Sequence, residues 1–589
     1  MTYLCNPLNM EYKYQMMELM GSLVAYREAA DPTLVLFRGK YYLFPSMTAG
    51  FLASDDLTEW TFHPLKDVPI YDYAPDVRVM GEYLYFSASD KSKNGSFYRT
   101  KDPIDGGFEE IEGTFSFWDP NLFADDDGRV YFYWGCSNQT PIYGVELRPE
   151  DMKPLGEPVG LIYRSDTTVG YERSGENHVP KSPEQIEEIV RKFASSRPDA
   201  SEELLNSIRT AVGNAPYIEG AWMDKHNGKY YLQYASPGTE YNIYSDGVYV
   251  GDSPLGPFTL ANNNPFSYKP GGFMPGAGHG STLRDKHGNL WHASTMRISV
   301  NHIFERRIGL WPAGYDQDGE LFCNQRYGDW PYKLEQARMD PWSEPEWMLL
   351  SFGKPAKAST FEEGNDASRA TDENVQTWWK AASNAAGEWL EVDLTREFDV
   401  YAVQINFADD RLQAVLPEGA AMEKGRYIDQ RRHYTRWVLE GSADGKNYFV
   451  LEDKSDADTD WPHDLVVKEE GVKARYIRLT VKELPYNQRA CVSGLRVFGK
   501  GKGERPKPAS GVRTERLSEL DLSVTWERSD AVGYNVLWGY AADKLYHSHM
   551  VFGRHELTIK ALIQDRPVYV RVDAFNESGI AEGEAFQAI

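Results

Sequence analysis

The sequence predicts an all-β, multidomain chain that opens with a five-bladed β-propeller. Three observations predict it. First, five segments begin alike: a polar residue, a short apolar run, a Gly-centred turn and a Tyr-rich strand. They read D-P-T-L-V-L-F-R-G-K-Y-Y-L-F from Asp31, P-D-V-R-V-M-G-E-Y-L-Y-F around Asp76, D-P-N-L-F-A-D-D-D-G-R-V-Y-F-Y-W from Asp119, E-G-A-W-M-D-K-H-N-G-K-Y-Y-L-Q-Y from Glu219 and H-G-S-T-L-R-D-K-H-G-N-L-W-H-A from His279. Second, the first three starts lie about 45 residues apart, the period of a blade of short strands. Third, the chain has 589 residues, several times a usual domain, and 13% of them are aromatic, as in β-rich cores. Blades around one axis would bring three Asp, one Glu and one His together, a set suited to acid–base chemistry.

The elements follow in order. The gap between Asp119 and Glu219 is roughly twice the others, which leaves room for an insertion of about 50 residues. Ser182-Pro183-Glu184-Gln185 reads as a helix start, with Ser as N-cap, Pro in the first turn and Gln closing a capping box. Ile186, Ile189, Val190 and Phe193 follow at helical spacing. Pro198 interrupts, and Asp199 and Glu202 open a second helix with Leu204, Leu205, Ile208 and Val212 on its apolar face. Residues about 170–213 therefore read as a helical hairpin between strands. Its place is open between the border of the site and the outer wall. The propeller is expected over 1–341, a β-rich domain without the repeat over 342–500, and a small β-sandwich over 501–589. A Gly/Lys/Pro linker, G-K-G-K-G-E-R-P-K-P-A-S-G, joins the last two.

The formal charge of −25 disfavours nucleic acid or an anionic membrane as partner and suits a neutral substrate. The four cysteines match neither a metal site nor a disulfide framework, so buried thiols are expected. The N-terminus lacks a basic stretch followed by an apolar one, and no apolar run reaches membrane-spanning length. The chain as it stands is expected in the cytoplasm, or outside the cell if a signal has been removed. Oligomeric state is not legible. The run Asp125-Asp126-Asp127-Gly128 reads as a hairpin turn rather than a metal loop.

Three acidic motifs, R-E-A-A-D-P-T-L, F-W-D-P-N-L-F and Y-I-E-G-A-W, stand in order on the repeat. This arrangement resembles glycoside hydrolase family 43, over residues about 5–340. The resemblance implies Asp31 as general base, Glu219 as general acid and Asp119 as the aspartate that sets the acid's pKa and orientation. The motif G-A-G-H-G-S places His279 on the family's axial histidine, which implies a central metal, usually calcium; no organic cofactor is implied. The roles also have a physical rationale. Inverting hydrolysis needs an acid for the leaving oxygen and a base for water on the opposite face. A neighbouring carboxylate raises the acid's pKa by like-charge repulsion, and Trp222 could add desolvation. Asp76, Trp222, Arg297 and Arg307 are the candidates for substrate binding, Arg306 being the third arginine of the fifth unit.

N-D-A-S-R-A-T-D-E-N-V-Q-T-W-W (365–379), G-E-W-L-E-V-D-L, A-R-Y-I-R-L-T and V-S-G-L-R-V-F-G resemble the discoidin, or factor V/VIII C-type, jelly roll. That likeness implies a carbohydrate-binding module with a calcium site near Asp372, and Trp461 and His463 are its candidate glycan contacts. The last segment resembles fibronectin type III, with Trp526 in its core and a spacer role. The expected activity is inverting removal of terminal α-L-arabinofuranosyl or β-D-xylosyl groups from plant-derived oligo- or polysaccharides. Release of another furanose, such as galactofuranose, is the alternative within enzymes. A glycan-binding propeller without catalysis is the alternative of another class.

Overall fold

A computed structural model describes residues 2–19, 22–90, 94–175 and 177–589. Five four-stranded antiparallel sheets form the first part of the chain. Their innermost strands are Thr33–Phe37, Tyr73–Met80, Asn121–Ala124, Glu219–His226 and Gly278–Arg284. Each inner strand contacts the next, and the fifth contacts the first, so the ring is closed. The N-terminal strand Thr2–Leu4 pairs with Tyr332–Leu334 and ties the two ends of the propeller together.

One local feature repeats in all five blades. A residue in left-handed conformation precedes or opens each inner strand: Asp31, Ala74, Asp119, Gly220 and His279, with φ of 47°, 50°, 53°, 63° and 51°. Four of these are not glycine, and such a conformation persists only where its surroundings hold it. Here the preceding blade does so. Asp31 N–H donates to Thr295 Oγ1 (2.9 Å), Ala74 N–H to Ser46 Oγ (2.7 Å), Asp119 N–H to Ser89 Oγ (2.8 Å) and His279 N–H to Asp246 Oδ1 (2.7 Å). Gly220 has a separate reason to be glycine: a Cβ there would lie 2.7 Å from the His279 ring.

Two residues further on, each blade clasps the next. Thr33 Oγ1 donates to Pro75 O (2.8 Å). Asp76 accepts from Asn121 Nδ2 (2.8 Å) and Leu122 N (2.7 Å). Asn121 Oδ1 accepts from Met223 N (2.8 Å), and Trp222 Nε1 donates to Thr282 Oγ1 (2.9 Å). Ser281 Oγ donates to Pro32 O (2.7 Å) and accepts from Leu34 N (3.0 Å), which completes the ring. The true register of the repeat is therefore set by the left-handed residue. Asp76 stands two residues beyond it, at a clasp position, and Glu219 one residue before it.

The insertion forms helices Pro183–Ser196 and Glu202–Ala211. Ser182 and Gln185 make the expected capping box, whereas the second helix is capped by Ser201 rather than Asp199. Only Val190 of the two helices is buried, and most of the hairpin faces solvent.

Beyond the propeller, strands between Met348 and Lys500 form an eight-stranded sheet assembly around Trp379, Trp437 and Leu479. Residues 513–587 form two further sheets, with Trp526 buried between strands as expected. The last unit is not a spacer. Its Ile563 and Trp538 share one apolar core with Tyr171 and Tyr268 of the propeller. Arg173 pairs with Asp521 (2.7 Å), and Lys544 with Asp316 (2.7 Å).

The clasp gives a testable expectation. Asp76→Ala leaves two buried N–H donors without an acceptor and should destabilise the protein by about 2–4 kcal/mol. Denaturant unfolding should show that loss, while the folded fraction keeps the wild-type KM.

Candidate active site

The left-handed turns aim side chains at the propeller axis. Asp31, Asp119 and His279 are presented by three of them, and Glu219 by the bulge that precedes Gly220. His279 Nδ1 lies 3.5 Å from Asp31 Oδ1 and 3.9 Å from Asp119 Oδ2, so both carboxylates meet the same ring nitrogen. One carboxylate oxygen of Asp119, one of Glu219 and Cys136 Sγ lie within 4.8 Å of one another.

The two sides differ in electrostatics. Asp31 is 5% exposed and held by Ser46 Oγ (2.7 Å) and Arg306 Nη1 (3.0 Å). Burial alone would push its carboxyl up, but Arg306, His279 and the Ser46 hydroxyl outweigh burial and hold it below the usual carboxylate range. Arg306 is fixed in turn by Glu28, which also accepts from Gln15 Nε2 (2.6 Å). On the other side, burial and then the charges of Glu219 and Asp31 push Asp119 up to about 7, against the opposing pull of His279. Glu219 accepts from the Tyr244 hydroxyl on one oxygen and from Cys136 Sγ (3.1 Å) on the other. Burial and the neighbouring carboxylates keep the Cys136 thiol protonated, so it stays a donor.

His279 is oriented through its backbone. Asp246 accepts from His279 N and Gly280 N and pairs with His292 Nε2 (2.8 Å). Burial opposes the charged imidazole of His279, yet Asp31, Asp119, Glu219 and Asp246 together raise its pKa.

The structure brings Asp31, Asp119, Glu219 and His279 together and moves most of the other candidates elsewhere. Asp76 is 2% exposed and spent on the blade clasp. Trp222 is 3% exposed, bonded to Thr282 and covered by Arg78 at 3.5 Å, so it closes blades rather than desolvating the acid. Arg307 is turned outward, donating to His463 Nε2 (2.9 Å) and to the carbonyls of Arg27 and Arg306. His463 is thereby a buried interface residue rather than a glycan contact. Arg297 is buried with Nε unpartnered, and Glu240 is its carboxylate neighbour. Arg306 was named from sequence only as one of three arginines of the fifth unit, and Cys136, Tyr244, Ser46 and Glu28 were not singled out. The repeat carried a usable signal for two of them: Ser46 and Cys136 each stand just past the second strand of a blade, level with the axis.

Neither expected calcium site fits its donors. Calcium takes six to eight oxygen ligands. His279 offers a nitrogen, and the nearest oxygens are those of Asp31 and Asp119, one of them gripped by Arg306. Asp372 accepts from Asn374 N (3.1 Å) and Thr377 Oγ1 (2.7 Å), with Arg369 4.0 Å away. That is a self-satisfied turn beside a cation.

The hairpin insertion borders the acid side. Asn138, two residues past Cys136, donates to Thr210 O (3.0 Å) at the end of the second helix. Tyr217, two residues before Glu219, donates to Ala211 O (3.0 Å).

A carboxylate held ionised by arginine, and a carboxyl pair that retains a proton near neutrality, are the kinds of group that acid–base cleavage of a glycosidic bond requires. The profile of glycosyl hydrolases family 43 matches residues 23–188 and 192–321, and the chain belongs to that family. A NedA-like, galactose-binding domain matches residues 369–479. Among curated proteins, xylosidase/arabinosidase 43A of Humicola insolens is 28% identical over 348 residues, spanning 51% of this chain and 98% of its own. A beta-xylosidase of Xylanibacter ruminicola is 27% identical over 272 residues (39% of this chain, 77% of its own). A beta-D-galactofuranosidase of Aspergillus niger is 25% identical over 266 residues, covering 39% and 63%. Among solved structures, the family 43 protein BlXynB of Bacillus licheniformis has a TM-score of 0.39 at 13% identity, covering 99% of this chain and 91% of its own.

The charge asymmetry sets a pH profile. The value of kcat/KM should fall above about pH 7, as the proton on the Asp119 side is lost. Its acid limb should lie below the usual carboxylate range, because the folded environment favours ionised Asp31. Asp119→Asn should move the alkaline limb and leave the acid limb in place. Initial rates across pH check both limbs.

Proposed function

We propose that the protein is an inverting exo-glycosidase that removes terminal α-L-arabinofuranosyl or β-D-xylosyl groups from plant-derived oligo- or polysaccharides. The carrying observation is the arginine-held, ionised Asp31, which meets His279 Nδ1 together with Asp119, the neighbour of Glu219. In this reading Asp31 takes a proton from water as the water attacks the anomeric carbon. Glu219 gives its proton to the departing oxygen, and the C–O bond breaks with inversion. Asp119 holds like charge and a shared proton beside the acid. Cys136 and Tyr244 fix the glutamate's two oxygens. Arg297, with Glu240 as its carboxylate neighbour, is the substrate-binding candidate kept in this reading. The pentoside choice is supported by the names of the Humicola and Xylanibacter relatives. The Aspergillus relative is why galactofuranoside belongs in the same panel.

The test is hydrolysis of 4-nitrophenyl arabinofuranoside, xyloside and galactofuranoside. Glu219→Gln should reduce kcat by about 100-fold or more, the scale of general-acid catalysis. NMR of the first-formed sugar should show the inverted anomer. Full activity in Glu219→Gln, or net retention, would overturn the assignment.

A further inference from the structure

The hairpin formed by strands Lys13–Leu19 and Ser22–Glu28 ends three residues before Asp31 and carries Glu28, the anchor of Arg306. This hairpin is not left as a two-stranded ribbon. A short strand of the galactose-binding domain, Arg426–Ile428, adds to it, with Met17 opposite Arg426 and Gln15 opposite Ile428. Asp429 N–H continues the contact to Tyr14 O (2.8 Å). Gln15 is the residue that also holds Glu28.

From that strand the Arg426 side chain runs into the propeller and is 5% exposed. Its Nη1 donates to Asp72 O (2.7 Å) and touches Met47 Sδ, and Nη2 lies 3.5 Å from Asp72 Oδ1. The guanidinium lies over the Tyr73 ring at 4.8 Å. Arg306 approaches the same ring at 5.7 Å, so two guanidiniums lie against Tyr73. The next residue, Ala74, is the left-handed turn whose N–H is held by Ser46 Oγ, and that hydroxyl donates to Asp31. Neighbours of Arg426 grip the same rim: Lys424 pairs with Asp90 (2.6 Å), and Gln430 Nε2 donates to Thr48 O (3.0 Å). One segment of the second domain thus clamps the rim loops of the first two blades beside the base.

We propose that Arg426 is a positioning residue for the base side of the site, so that the galactose-binding domain is a working part of the glycosidase and not a detachable sugar anchor. The proposal rests on the reading of Asp31 as base. Arg426 touches no reacting atom. It acts by fixing Tyr73, the Ala74 turn and, through Ser46, the donor to Asp31.

The test uses the full chain with Arg426→Ala and Arg426→Lys, assayed on whichever glycoside the wild type cleaves. Arg426→Ala should lower kcat/KM by about 10- to 100-fold, the scale of one charge-assisted hydrogen bond. Its acid limb should move to higher pH as the Ser46 donor to Asp31 loosens, while the alkaline limb stays. Arg426→Lys should restore most of the activity and the acid limb, since an ammonium keeps the charge over Tyr73. An unchanged kcat/KM and profile in Arg426→Ala overturns the proposal. So does a loss in which both limbs shift together and the thermal midpoint falls equally in both variants, since that is destabilisation alone. A wild type inactive on every glycoside would instead fall on the functional reading.

Discussion

The structure depends on a repeated backbone strain. Each inner strand is preceded or opened by a residue with positive φ, and four of the five are not glycine. A chain does not hold such a turn unaided. The side chains of the preceding blade hold it, and two residues on, a side chain of the same blade reaches the next one. Closure of the ring and display of the site are therefore one set of hydrogen bonds. The same turn that points Asp31, Asp119 and His279 at the axis also positions Thr33, Asn121 and Ser281 to bind the neighbouring blade. Asp76 illustrates the division of labour: the same residue type, displaced by two positions, becomes architecture.

On this frame the site is made asymmetric by what stands behind each carboxylate. Asp31 has a buried guanidinium and a hydroxyl, so ionisation is favoured even though it is out of water. Asp119 has the charges of Glu219 and Asp31 beside it, so ionisation is opposed, and the pull of His279 and the Cys136 thiol offsets this only in part. Burial is nearly the same for the two. The difference in neighbours, not in exposure, separates their proton affinities.

The propeller does not build this environment alone. The helical insertion borders the acid side through Asn138 and Tyr217. The second domain lies against the base side. Its junction with the propeller is threaded with buried arginines: Arg27 on Asp460 (2.7 Å), Arg307 on His463, Arg426 on Asp72. His463 is kept neutral there by burial and by the two nearby guanidiniums, so it can accept from one of them. Buried contacts of this type gain little net stability, but breaking one leaves an uncompensated buried charge. They join the second domain to the propeller beside the site.

The sequence by itself determined the five-fold repeat, the acidic trio, the insertion with its Ser182 cap, and the change of pattern near residue 341. These are legible because strand alternation, Gly turns and capping are local, and each leaves its mark within a few residues. It also led to Asp76, Trp222 and Arg307 as substrate contacts, which the structure places elsewhere. A polar residue near the start of an inner strand faces the axis or the next blade according to an offset of one or two positions, and the bulge that sets the offset is not visible in composition. Arg306 and Arg307 are adjacent, yet strand alternation sends one to Asp31 and the other to His463, more than 150 residues away in sequence. Cys136 beside Glu219, Arg426 beside Tyr73 and the packing of the last sandwich were decided only by the tertiary structure. Each joins residues from different blades or domains, and such pairings exist only once the ring has closed and the second domain has docked.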